Sequence, residues 1–132
     1  MEESERKEEP ASGVLGKYRR LEKLVNSKFP EIIEDSNIER GPGDAPRNLR
    51  LFFKDNSFMD VRVTQDGDYS YHWQTEDGEV IRFDNAPHHR NLETFPDHKH
   101  KNDELMSSQL AQQPKIEDKL STAVQIIKEN QF

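Results

Sequence analysis

The sequence predicts an α+β domain: an antiparallel meander sheet of four or five strands, flanked by an N-terminal and a C-terminal helix. Three observations predict it. Apolar residues recur at helical spacing near both ends of the chain, four segments between them alternate apolar with polar residues, and the connectors joining those segments are too short for any but antiparallel neighbours. The 132 residues suit one domain and are too few for two ordinary ones.

Residues 1–13 carry five Glu against one Arg and one Lys, then Pro, Ser and Gly, with no apolar anchor, and are expected to form a disordered acidic tail. The single α+β domain is expected over 14–132. Residues 14–28 set Leu15, Tyr18, Leu21, Leu24 and Val25 at helical spacing, with Lys17, Arg19, Arg20 and Lys23 on the wetter side, and Pro30 ends the pattern. Residues 31–40 read equally as a short strand or as a frayed continuation, and 41–47, with two Gly and two Pro, as a loop. Four strands follow, marked by Leu49, Leu51 and Phe53; by Met59, Val61 and Val63; by Tyr69, Tyr71 and Trp73; and by Ile81 and Phe83. The turns Asp55-Asn56-Ser57, Asp66-Gly67-Asp68 and Glu76-Asp77-Gly78 separate them. Residues 85–114 show no periodicity and hold Pro87, Pro96 and Pro114, so a long irregular segment is expected, of the kind usually functional or disordered. Ile116, Leu120, Val124 and Ile127 then form one stripe of a closing helix.

Composition narrows the function classes. Net charge is −7, which argues against sequence-independent coating of nucleic acid over the whole surface. The tail accounts for −3 of it, and residues 81–101 hold Arg82, Arg90, Lys99 and Lys101 against Asp84, Glu93 and Asp97, so a local nucleic-acid site stays open. The chain has no Cys, which removes disulfides, thiolate metal sites and cysteine nucleophiles. No apolar run approaches the roughly 18 residues of a membrane span, and Met1–Pro10 lacks the apolar stretch of a secretory signal, so a cytoplasmic protein without membrane association is expected.

All five histidines fall between His72 and His100. If Leu51, Val61, Tyr71, Trp73 and Phe83 face the core, period two sends Arg50, Asp60, Arg62, Ser70, His72, Gln74, Arg82 and Asp84 to the opposite face. Beyond the last strand, Asn85-Ala86-Pro87-His88-His89 and Phe95-Pro96-Asp97-His98-Lys99-His100 are two Pro-stiffened segments whose imidazoles could converge beside the sheet. His88 and His89, being adjacent, cannot both face one point in regular structure, whereas His98 and His100 can on an extended chain.

Three chemistries suit this inventory. Metal-free RNA cleavage needs a base, an acid and a phosphate clamp. His72, His98 and His100 are the acid/base candidates, with His88 beside them; Arg82 and Lys99 would clamp phosphate and Asp84 would orient a histidine, while Arg62, Gln74, Asn85 and His89 would contact substrate. Alternatively, His88, His98, His100 and Asp84 could hold a divalent metal for nuclease or nucleotidyl-transfer chemistry. Tyr69, Trp73, Phe83 and Phe95 could stack on bases, although Trp73 reads more readily as core. Each histidine also has a structural reading, and a non-enzymatic binding module would use Asn85 and Asp97 for the loop's own hydrogen bonds.

The segments Tyr69–Gln74, Arg82–His89 and Thr94–His100 resemble, in order and spacing, the motifs of the TumE family, small proteins of prokaryotic toxin–antitoxin systems. The resemblance spans roughly residues 45–128 and rests on three linked motifs; the acidic tail and first helix are less characteristic. It implies a cytoplasmic prokaryotic protein, encoded beside a small antitoxin that neutralises it; a homodimer is a separate expectation that the resemblance does not supply. It supplies no mechanism. RNA as substrate follows from the general habit of such toxins together with the His, Arg and Lys inventory, and no cofactor is expected unless the metal alternative holds.

Overall fold

The structure, a computed structural model, describes residues 13–132. The predicted tail, apart from Gly13, lies outside the described residues. Helix α1 (Gly13–Lys28) buries Tyr18, Leu21 and Val25, spaced i, i+3 and i+7, on one stripe. Its last turn is closed by the Phe29 N–H bonding to the Val25 carbonyl at 2.8 Å, and Pro30 follows where no further helical bond can be donated. The ambiguous stretch 31–40 resolves as strand β1 (Ile33–Arg40), and Pro42–Asp44 form one 3-10 turn in the loop after it.

Strands β2 (Pro46–Phe53), β3 (Phe58–Val63), β4 (Tyr69–Gln74) and β5 (Val80–Asp84) fall where period two put them. The sheet is larger than expected. Two further strands, β6 (His98–Lys101) and β7 (Glu104–Ser107), lie in the segment read as irregular, and the order β1 to β7 is one seven-stranded antiparallel meander. They escape periodicity for a physical reason. The helices pack over β1–β4, so neither face of β6 or β7 is a core face and no apolar alternation is required. Their turn is legible in hindsight: Asn102 and Asp103 adopt positive φ of 48° and 76°, as a two-residue primed hairpin turn demands, and the Asn102 carboxamide oxygen accepts the Val80 N–H at 2.8 Å.

Helix α2 (Ile116–Gln131) lays Leu120, Ala123, Val124 and Ile127 against α1 and the sheet. With Leu49, Leu51, Met59, Val61, Tyr71, Trp73 and Phe83 they form one core on a single face of the sheet. Each fully buried large apolar side chain contributes roughly 1.5–3 kcal/mol, so this face supplies the main driving force. The polar members of the core are all partnered: the Trp73 indole N–H donates to Ser57 Oγ at 3.0 Å, and Tyr18 Oη accepts the Val63 N–H at 3.2 Å.

A buried polar network ties the segment before β6 to α2. Tyr69 Oη donates to Asp97 Oδ1 at 2.5 Å, Lys119 Nζ donates to the same oxygen at 3.1 Å, and Lys119 also reaches the Leu110 carbonyl at 2.9 Å. Burial, then the bond to Asp97, pushes the Tyr69 phenol far up, so it remains a donor. The connection between β5 and β6 is thereby fixed at its far end.

Candidate functional site

No helix among the described residues covers the second face of the sheet, and register decides what it shows. Arg50, Asp60, His72, Arg82 and His100 are directly paired in one row across β2–β6, and Arg62, Ser70, Asp84 and His98 form the next row across β3–β6. Neighbouring strands stand about 4.8 Å apart, so each row is a ladder of side chains at that spacing. The face encloses a groove of about 440 Å³ lined by Arg50, Asp60, Arg62, His72, Gln74 and Arg82 among others.

Charge along the first row is organised. Arg50 donates two hydrogen bonds to Asp60, Nε at 2.7 Å and Nη2 at 2.9 Å, while its guanidinium stacks 4.3 Å from the Phe58 ring centre. Asn48 donates to the same carboxylate at 3.1 Å. That pair walls the groove. Arg82 is different: its Nε donates to Asp84 Oδ2 at 2.8 Å, and the residue lines both the groove and an adjoining cavity of about 360 Å³. A guanidinium held at one nitrogen and open at the junction of two cavities is suited to receive an anion.

The histidine cluster lies at the β6 end of the groove. His98 is buried at 2% exposure. Its Nε2 stands 2.7 Å from Asp84 Oδ1 and its Nδ1 3.0 Å from the Pro96 carbonyl oxygen. Both neighbours are acceptors, so the ring is held in place at both of its nitrogens. His100, two residues on and therefore on the same face, has its ring centre 4.9 Å from that of His98. His89 comes in from the β5–β6 connection, with ring centres 4.7 Å from His98 and 5.6 Å from His100. His100 Nε2 is buried and has no hydrogen-bond partner among the described residues. Desolvation first, then the charges of Arg82 and His98, lowers its pKa below the ordinary imidazole value, favouring the neutral ring.

The predicted residues thus divide. His72, Gln74, Arg62 and Arg82 meet at the groove, and Asp84, His89, His98 and His100 at its end. His88 is exposed, with its ring 6.4 Å from that of His89; of the adjacent pair, only His89 turns into the cluster. Lys99, expected beside Arg82, alternates to the opposite face, where its ammonium lies 6.0 Å over Phe83 and desolvation lowers its pKa. Asn85 is committed to the fold, accepting the Tyr69 N–H at 3.0 Å and donating to the Gly67 carbonyl at 3.1 Å. Of the aromatics considered for base stacking, Tyr69, Trp73 and Phe83 are core residues and Phe95 is exposed.

Sequence reasoning placed Arg50 and Asp60 on this face without counting them in the site, although alternation alone puts them level with His72. The Pro96 carbonyl carried no signal, because a backbone acceptor is visible only once the chain's path is known. The ligating atoms of His89, His98 and His100 lie within 4.8 Å of one another, so among the described residues this trio, rather than one including His88, is the group that could hold a metal. The site offers an anion clamp, an imidazole on either side of it, and a buried carboxylate that holds one of those imidazoles in place.

A family model described as Toxin TumE matches residues 21–131 of the chain. Neither the comparison with curated proteins nor that with solved structures yields a match.

Proposed function

The chain belongs to the TumE toxin family, and from that premise we propose that it is the toxin component of a toxin–antitoxin pair, acting in the cytoplasm as an endoribonuclease on RNA laid across the open face of the sheet. The observation that carries this reading is the ladder His72–Arg82–His100, an arginine flanked on neighbouring strands by two imidazoles. Arg82 binds the scissile phosphate and offsets the charge that grows on it. One proton-handling group stands on each side, His72 towards β4 and the His89/His98/His100 cluster towards β6. A base takes the proton of the ribose 2′-hydroxyl, the 2′-oxygen bonds to phosphorus, and the 5′-oxygen departs with a proton from the opposite acid. Arg62 holds a flanking phosphate, and Asp84 is a positioning residue acting through His98 and Arg82.

A small cognate antitoxin would neutralise the protein by covering this face. The test is purified protein incubated with RNA, alongside growth inhibition on expression. His72→Ala and Arg82→Ala, each at the groove and outside the core, are expected to lose cleavage and toxicity by at least about 100-fold while keeping the fold. Tight RNA binding without cleavage by the parent protein would instead favour a module that acts by occupancy, and unchanged toxicity of both variants would sink the assignment.

A further inference from the structure

We infer that His89, His98 and His100 bind one divalent transition-metal ion of the zinc class. The site stands on its own geometry; in the RNA-cleavage reading above, on which its catalytic part rests, the ion with its bound water would take the place of the free imidazoles as the proton-handling group on the β6 side.

The ligating nitrogens already lie within 4.8 Å of one another. A tetrahedral ion with bonds of about 2.0–2.1 Å holds its ligands about 3.3 Å apart, so small side-chain rotations close the trio around it. The unpartnered His100 Nε2 is the second observation. A buried polar nitrogen without a partner is costly, and nothing among the described residues satisfies it. Its neighbours on the cluster side are the imidazoles of His89 and His98, with ring centres 5.6 and 4.9 Å away. A cation at the centre supplies the partner that His100 lacks.

His98 carries the support that metal-bound histidines usually have. One of its nitrogens would exchange its present acceptor for the ion, while the other keeps a fixed one, either Asp84 Oδ1 at 2.7 Å or the Pro96 carbonyl at 3.0 Å. Asp84 also supplies the negative charge that offsets the ion. Three neutral nitrogen ligands favour zinc-like ions over magnesium or calcium, which prefer oxygen. Three protein ligands leave a fourth position, as in zinc sites that bind water or substrate. His100 is directly paired with Arg82, so that position would lie beside the groove.

The experiment uses the full, untagged chain after treatment with chelator. Calorimetric titration with zinc(II) is expected to give one site per chain, and cobalt(II) the visible spectrum of a tetrahedral nitrogen site; magnesium(II) should give neither. His89→Ala and His100→Ala, both only partly buried, should each weaken zinc binding at least about 10-fold, whereas His88→Ala should leave it unchanged. His98→Ala is avoided because its burial makes misfolding an alternative cause. Absence of zinc binding, or binding indifferent to both His89→Ala and His100→Ala, overturns the site. The two readings fail separately. A metal-free protein that cleaves RNA through His72 removes the metal site alone, and a zinc-binding protein that cleaves no RNA removes the ribonuclease alone.

Discussion

His98 Nε2 stands 2.7 Å from Asp84 Oδ1, the two residues being directly paired across β5 and β6 and both buried. Asp84 has no idle oxygen: Oδ1 also accepts the Ala86 N–H at 3.1 Å and Oδ2 accepts from Arg82. One carboxylate therefore fixes the histidine cluster, the arginine at the groove and the first turn of the connecting segment. Asp84→Asn keeps the shape but replaces one acceptor oxygen with a donor amide facing existing donors. The expected outcome is a loss of about 2 kcal/mol in urea unfolding, as for a buried charged acceptor removed from its partners, with RNA cleavage falling more steeply than stability.

Acidification should weaken the metal-free fold through His100. Its folded pKa is lowered from the ordinary value of 6.5. As pH falls through that value, the unfolded chain takes up the proton before the folded chain does, so stability declines over the window between the ordinary and the lowered pKa and levels off below it. Urea midpoints measured with chelator from neutral to mildly acidic pH should follow that course. His100→Gln, which cannot titrate, should flatten it.

Lys119 and Asp97 are a buried ion pair, each side chain about 11% exposed, with Tyr69 bound to the same oxygen. Lys119→Met leaves the carboxylate buried with only a neutral partner, and a loss of about 3–5 kcal/mol is expected. Asp97→Asn in the same chain removes the orphaned charge and should recover part of that loss. A double-mutant cycle from unfolding curves measures the coupling, and strict additivity would mean that the pair is not energetically linked.

Arg62 is exposed at the groove and stands in the same row as Ser70 and Asp84. Arg62→Gln should weaken RNA binding similarly across sequences, and the slope of log affinity against log salt should lose about 0.7, the share of one phosphate contact on a single strand. Filter binding over a salt series reads this directly. An unaltered slope would place the phosphate path away from β3.

Much of the molecule was legible in its residues, because burial imposes a period. Tyr18, Leu21 and Val25 mark α1, Leu120, Val124 and Ile127 mark α2, and the alternation from Leu49 to Phe83 marks β2–β5 and names the face that shows Arg50, Arg62, His72 and Arg82. The same logic fails where no core face exists. His98-Lys99-His100-Lys101 is a strand that buries only its first residue, so its pairing with β5 could not be read from hydropathy.

By itself, then, the sequence determined which residues lie beneath the helices, which line the open face, and that His98 and His100 share a side of any extended chain. The tertiary structure decided the rest. It chose His89 over His88, turned Lys99 away from Arg82, spent Asn85 on the loop, and set Asp84 against His98. These choices depend on strand register and on the path of the connection between β5 and β6. Both arise from contacts between residues distant along the chain, which a local period does not encode.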